Sequence, residues 1–198
     1  MEKKKDILVD VDEVIVFSGF VEAVNDFMGT NYVIDDFTEY YIDEVAIPKD
    51  KMDEFNKFLN NRNLYDYAEI LPGAIETLEE LNRKYNVYLL TSCVNEANLD
   101  GCGRVFMDKY NFLRKNLPFI NPKQFIFTGS KGLFKAYAKI DNLLENFNSD
   151  EEIEIKILFP SYHNKDITDE ELKEKGVIRA GFDWRTGWEE VKKLLLKK

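Results

Sequence analysis

The chain has 198 residues, enough for one domain with a sizeable core, and its 44% hydrophobic and 14% aromatic content marks it as globular rather than disordered. A formal net charge of −10 argues against a nucleic-acid polymer as partner, because a phosphate backbone calls for a basic surface. Two cysteines, Cys93 and Cys102, and one histidine, His163, argue against a structural zinc site and suit a reducing compartment.

The stretch Ile7 to Val16 reads Ile-Leu-Val-Asp-Val-Asp-Glu-Val-Ile-Val, a β-branched run suited to a strand buried on both faces. Asp10 and Asp12 interrupt it, and strand alternation puts both on one side with Val11 turned away. A strand ending near Asp10 sets both carboxylates at its carboxyl end, where open α/β sheets hold their ligands. Two like charges this close are costly unless a cation or a proton offsets them, and a divalent metal does so most simply. An exposed Asp-x-Asp loop is the alternative, and the apolar flanks argue against it. The three lysines before this run give it the look of a signal peptide, but Asp10, Asp12 and Glu13 break the apolar segment. No window has the length of a membrane-spanning helix, so a cytoplasmic protein with no membrane partner is expected.

Ser18 to Met28 has helical spacing through Phe20, Val21, Val24, Phe27 and Met28, with Ser18 as N-cap and Gly29 as stop. Residues 30–48 are acidic and tyrosine-rich without a clear period. Helical spacing returns from Asp50 to Asn60 through Met52, Phe55, Phe58 and Leu59. The section is too long for a loop, so 18–69 is expected to form a small helical cap inserted into a core made of 1–17 and 70–198.

Pro72 and Gly73 open a helix to Lys84 with Ile75, Leu78 and Leu81 as its stripe, and Asn86 to Leu90 is a second strand ending in Thr91-Ser92. Asn95 to Asn116 is mainly helical, irregular at Gly101 and Gly103. Gln124 to Phe127 is a third strand, followed by Thr128-Gly129-Ser130-Lys131 and a brief helix. Ala138 to Asp141 is a fourth strand, and the alternating Glu152 to Phe159 a fifth, nearer the sheet edge. Thr186 to Lys197 closes the chain as a helix with Trp188, Val191 and Leu195 inward. The alternation predicts an α/β fold, a Rossmann-like parallel sheet flanked by helices.

In such a sheet the polar strand ends converge: Asp10 and Asp12, Thr91 and Ser92, Lys131, Asp141 and Asn142. Carboxylates, a hydroxyl, an ammonium and a further oxygen donor describe a site for phosphate and Mg²⁺. One carboxylate can attack phosphorus while a second protonates the leaving alcohol and then activates water. Taken singly, Lys131 reads as a surface lysine, Asp141-Asn142 as a turn and Thr91-Ser92 as a polar strand end; their order along the strand ends is what gives them weight. His163 reads as structural and Cys93 as packing.

These residues carry a resemblance to the haloacid dehalogenase-like superfamily. Asp10-Val11-Asp12-Glu13-Val14 is similar to its first motif, Asp-x-Asp-x-Val/Thr, and Thr91, Lys131 and Asp141-Asn142 fall in order where the other three belong. More narrowly the chain resembles the 5′(3′)-deoxyribonucleotidases. Leu89-Leu90-Thr91-Ser92 is similar to their second motif, Lys131 stands ten residues before Asp141, and Ile157-Leu158-Phe159, His163-Asn164, Phe182-Asp183-Trp184 and Trp188 resemble their later segments. The resemblance implies a phosphatase hydrolysing nucleoside monophosphates through an aspartyl-phosphate. Asp10 would be the nucleophile and Asp12 the general acid/base, with Thr91, Ser92 and Lys131 on the phosphate. Mg²⁺ would be held by Asp10, the Asp12 carbonyl, Asp141 and Asn142. Phe17 matches a position that packs an aromatic near the base, and Phe37, Tyr40 and Tyr41 are further stacking candidates. A homodimer is left open as its assembly. Three departures stand out: Asn142 replaces a common aspartate, Glu13 stands where glycine is common, and Leu143-Leu144 replace an arginine and a proline. Rival readings are a phosphatase for another small phosphomonoester and a nucleotide-binding regulatory protein with little turnover.

Overall fold

The computed structural model describes residues 3–96, 98–147 and 152–196. The chain opens with β1 (Asp6–Val9), then β2 (Val16–Phe17), α1 (Phe20–Met28), α2 (Ile42–Ala46), α3 (Met52–Leu59) and β3 (Glu69–Ile70). α4 (Ala74–Lys84), β4 (Asn86–Thr91), α5 (Leu99–Asn116), β5 (Phe125–Phe127) and β6 (Ala138–Asp141) follow. β7 (Ile155–Leu158), α6 (Asp169–Glu174), β8 (Val177–Arg179) and α7 (Gly187–Leu196) complete it.

Six strands form one parallel sheet in the order β5-β4-β1-β6-β7-β8. β1 lies inside it because Ile7, Leu8 and Val9 leave no face fit for water, and all three are buried. The chain builds outward from β1 on one side, then returns to build on the other, so the carboxyl end of β1 sits at the switch point where such sheets hold ligands. The register pairs Val9 with Leu89 and with Ile140, which brings the three strand ends level.

The two-stranded ribbon β2–β3 is antiparallel, with Val16 opposite Ile70 and Phe17 opposite Glu69. Residues 18–68 run between its strands. Their helices share an apolar cluster of Val21, Val24, Phe37, Ile42, Ile47 and Phe55, joined by Tyr162 from beyond β7.

Several expectations need correcting. α1 starts at Phe20 with Gly19 at its cap and no side-chain cap bond, so Ser18 does not fill that role. The crossing of chains decides this: Gly19 N–H donates to the Leu64 carbonyl at 2.8 Å, and a Cβ at Gly19 would stand 2.7 Å from Tyr67 Cβ. Gly29 does stop α1, at φ 69°. β7 lies near the sheet edge as expected, but a strand the sequence did not announce, β8, lies outside it. β8 is too short for a period to show, and the charged α6 before it, capped by Thr168 and Glu171, announces no core strand. Lys197 of the closing helix lies outside the described residues. Among those described, no helix is long and apolar enough to cross a membrane.

Trp188 on α7 is fully buried, packs at a tilt against Phe159 with ring centres 5.5 Å apart and donates its indole N–H to the Val14 carbonyl at 2.7 Å. It therefore anchors the loop that follows β1. Trp188→Phe leaves that carbonyl without its donor, and we expect a loss of about 1–3 kcal/mol in urea unfolding; an unchanged midpoint would show the bond to be dispensable.

Candidate active site

The first strand ends at Val9, but Asp10 N–H still donates to the Ile140 carbonyl at 2.9 Å, so Asp10 is held at the sheet. The chain then folds tightly: the amides of Ile15 and Val16 donate to the Val11 carbonyl, and Glu13 N–H donates to the Val16 carbonyl at 2.7 Å. Val11 turns into the core, while Asp10 and Asp12 face one cavity of about 400 Å³, within the roughly 300–1,000 Å³ usual for small-ligand sites.

Lys131, at the start of the short turn after β5, reaches Asp10 at 2.7 Å and Asp141 at 3.0 Å. Burial is the largest influence on Asp10 and drives its pKa up; Lys131 opposes this, and the charges of Asp141 and Asp12 add to it, leaving the carboxyl at about 7. Burial alone would lower the Lys131 pKa, but the two carboxylates outweigh it and keep the ammonium charged. Asp12 is the accessible partner. Its Oδ1 accepts from Tyr65 OH at 2.7 Å, and its Oδ2 meets Lys109 Nζ at 2.5 Å and Thr91 Oγ1 at 3.4 Å.

The sequence candidates fall into three groups. Asp10, Asp12, Ser92, Lys131, Asn142 and Tyr40 line the cavity. Thr91 and Asp141 do not. Thr91 is buried and bonded to Lys109 at 3.0 Å, while Asp141 stands behind Lys131 and accepts from Asn146 Nδ2 at 2.8 Å and from Leu143 N–H at 3.1 Å. Phe17, Phe37 and Tyr41 lie away from it. Phe17 packs edge-on against Trp184 at 4.9 Å, Phe37 belongs to the buried cluster of residues 18–68, and Tyr41 sits exposed against Tyr40.

Two functional candidates escaped the sequence reading. Lys109 on α5 is almost fully buried and donates to Asp12, Thr91 and the Ser92 carbonyl. Its signal was available: it precedes the buried Leu113 and Leu117 by four and eight residues, so it occupies the inward stripe of a helix, where a lysine needs a reason. Tyr65 lies on a short turn in a stretch without periodicity, and nothing in the sequence pointed to it.

Residues 4–195 match the family described as 5′ nucleotidase, deoxy (pyrimidine), cytosolic type C protein. The chain belongs to that family. It is a phosphoric monoester hydrolase with the haloacid dehalogenase-like fold. Curated relatives include the 5′(3′)-deoxyribonucleotidase of Bacillus subtilis strain 168, 27% identical over 205 residues that cover 98% of this chain and 99% of the relative. The 5′(3′)-deoxyribonucleotidase of Bacillus phage SPbeta matches to the same extent, 27% identical with 98% and 99% covered. Among solved structures, one assigned as a haloacid dehalogenase-like hydrolase from Burkholderia xenovorans LB400 superposes with a TM-score of 0.53 at 12% identity, covering 98% of this chain and all of that one. The assigned HAD-hydrolase YfnB of Bacillus subtilis, bound to magnesium, does so at 0.50 and 14% identity, covering 98% of this chain and all of YfnB.

The candidate site is built around a carboxyl that is hard to ionise. Asp10 ionises near 3.8 in an unfolded chain and at about 7 in place. Above pH 7 the fold therefore carries a charge that the unfolded chain holds more easily, and below pH 3.8 that cost is absent. Asp10→Asn removes it. In buffer free of divalent cations we expect the variant's Tm to rise over the parent more at pH 8 than at pH 5; equal shifts at both pH values would refute this electrostatic account.

Proposed function

We propose that the chain is a Mg²⁺-dependent phosphatase of nucleoside monophosphates, deoxynucleotides foremost, working through an aspartyl-phosphate on Asp10. The observation that carries this reading is the pair Asp10 and Asp12 facing one cavity, each held by its own lysine. The names of the bacterial and phage relatives agree with the substrate class.

The donors at the strand ends fit magnesium. Asp10, the Asp12 carbonyl and the Asn142 amide oxygen are all hard oxygen ligands. Among the described residues no three His, Cys, Asp or Glu side chains form a cage that could hold a metal by themselves. Magnesium needs none, since it keeps waters and a substrate phosphate and takes only one or two carboxylates. The raised pKa of Asp10, beside Asp12 and Asp141, marks a place where a cation is favoured. Bound there, magnesium would neutralise phosphoryl charge and favour the ionised nucleophile. The position of Asp141 behind the cavity gives it a different part from the one expected: it holds Lys131.

In the first step an Asp10 oxygen attacks phosphorus, the bond from phosphorus to the ester oxygen breaks, and Asp12 gives its proton to the departing alkoxide. In the second, Asp12 takes a proton from water, the hydroxide attacks the phosphoryl group, and inorganic phosphate leaves with Asp10 restored. Lys131 and Lys109 offer positive charge to the phosphoryl oxygens, and Tyr65, Lys109 and Thr91 orient Asp12 through the two reactions. On the far side, Phe20, Tyr40, Leu59 and Leu64 give the nucleoside an apolar wall, with the amides of Asn60 and Asn98 beside it.

Phosphate release from deoxy- and ribonucleoside monophosphates, with Mg²⁺ and with chelator, tests the reading. Chelator-sensitive release favouring a deoxynucleotide is expected, and Asp10→Asn should abolish it with the fold intact. Activity surviving in Asp10→Asn would rule out the covalent mechanism; release only from other phosphomonoesters would move the substrate. Lys109→Met should lower kcat by about 100-fold or more, the scale seen when one preorganised donor is removed; a drop smaller than threefold would restrict Lys109 to packing.

A further inference from the structure

Glu13 lies in the loop between the two catalytic carboxylates and β2, and among the described residues it is the one non-glycine residue with positive φ, at 59°. An L side chain is strained there and persists only where its surroundings hold it. They do hold it. Oε2 of Glu13 accepts from Asn142 Nδ2 at 2.9 Å and Ser161 Oγ at 3.0 Å, and Oε1 accepts from Tyr162 OH at 3.0 Å. His163 Nε2 stands 3.1 Å from Oε2. Asn142 is buried, and its own carbonyl accepts from Asn164 Nδ2 at 2.8 Å, which fixes its backbone as well.

The consequence falls on the Asn142 amide. Glu13 and His163 both lie on its Nδ2 side, so the planar amide must turn Oδ1 the other way. Asn142 and Glu13 line the same cavity as Asp10 and Asp12. A carboxylate bonded to the N–H of an amide makes the oxygen of that amide more negative, as carboxylates do for metal-bound imidazoles. It also brings a full charge to a position where asparagine has none.

We propose that Glu13 is a positioning residue for the divalent cation. It fixes the Asn142 amide with Oδ1 towards the cation and supplies, from the first loop, the negative charge that the amide lacks. The inference rests on the reading of this cavity as a magnesium site. It differs from a purely structural role, in which Glu13 pins the loop after β7 to the loop after β1 and leaves cation affinity untouched.

Calorimetric titration of Mg²⁺ into the intact, substrate-free protein separates the two. Glu13→Gln and Glu13→Gly are expected to weaken Mg²⁺ binding by about 10–100-fold, the range for partners that orient metal ligands. Glycine accepts the positive φ without strain, so Glu13→Gly guards against a variant that fails merely to fold. Asn142→Asp should restore binding at least tenfold when added to Glu13→Gly, and should gain clearly less in the parent chain, where its carboxylate would press against Glu13. Binding within twofold of the parent in both Glu13 variants, or an equal gain from Asn142→Asp in both backgrounds, would overturn the role of Glu13 and leave the magnesium site standing. A parent protein that binds no Mg²⁺ would overturn the site reading and this inference together.

Discussion

Like charges forced together at the end of a parallel sheet govern this molecule. The register sets Val9 beside Ile140, so the next residues, Asp10 and Asp141, emerge side by side where neither can reach much water. Separation is not open to them, because the strands that carry them are hydrogen-bonded neighbours. Lys131 is therefore a structural necessity as much as a chemical asset: two buried carboxylates without it would leave uncompensated charge of the kind that unfolds proteins. The same ammonium keeps Asp10 short of full protonation. At this strand end two carboxylates thus share one ammonium.

Asp12 is handled differently. Its partners come from three separate parts of the chain, with Tyr65 arriving from residues 18–68, Lys109 from α5 and Thr91 from the end of β4. The core sheet alone does not complete this carboxylate. Its neighbour Asp10 needs only the sheet and Lys131. The two carboxylates therefore depend on different elements, and damage to the inserted segment should disturb Asp12 before it disturbs Asp10.

The sheet and much of the site were legible because burial leaves a plain signature. An apolar run broken by a carboxylate, as at Asp10 or Asp141, has few explanations other than a strand end with work to do. Spacing could not say which of two adjacent residues faces the cavity: Asn142 does, and Asp141 sits behind it. Phe17 misled for a related reason. It follows the loop of Asp10 and Asp12 directly, but in the ribbon its ring packs on Trp184 and does not line the cavity. Lys109 was hidden by company, among Arg104, Asp108 and Lys115 on a helix that looks uniformly charged until its buried stripe is traced. Tyr65 and β8 lie in stretches too short or too irregular for any period to form. Such residues are placed by tertiary contacts, and these are what a linear reading lacks.

The β2–β3 ribbon has a mechanical meaning. Residues 18–68 leave the core at Phe17 and return at Glu69, two positions paired with each other, so the whole segment hangs on a single stalk. Its other polar ties to the rest of the chain include Tyr65 to Asp12, Asn98 to Asn60, Tyr162 to the Tyr40 carbonyl and Arg185 to Asp35. Of these, Arg185 to Asp35 is the exposed one, worth about 1 kcal/mol or less. Gly101 leaves room for the Asn60 side chain, since a Cβ there would stand 2.3 Å from Asn60 Oδ1. One short ribbon thus fixes where residues 18–68 meet the core, and Tyr65 carries that placement to Asp12.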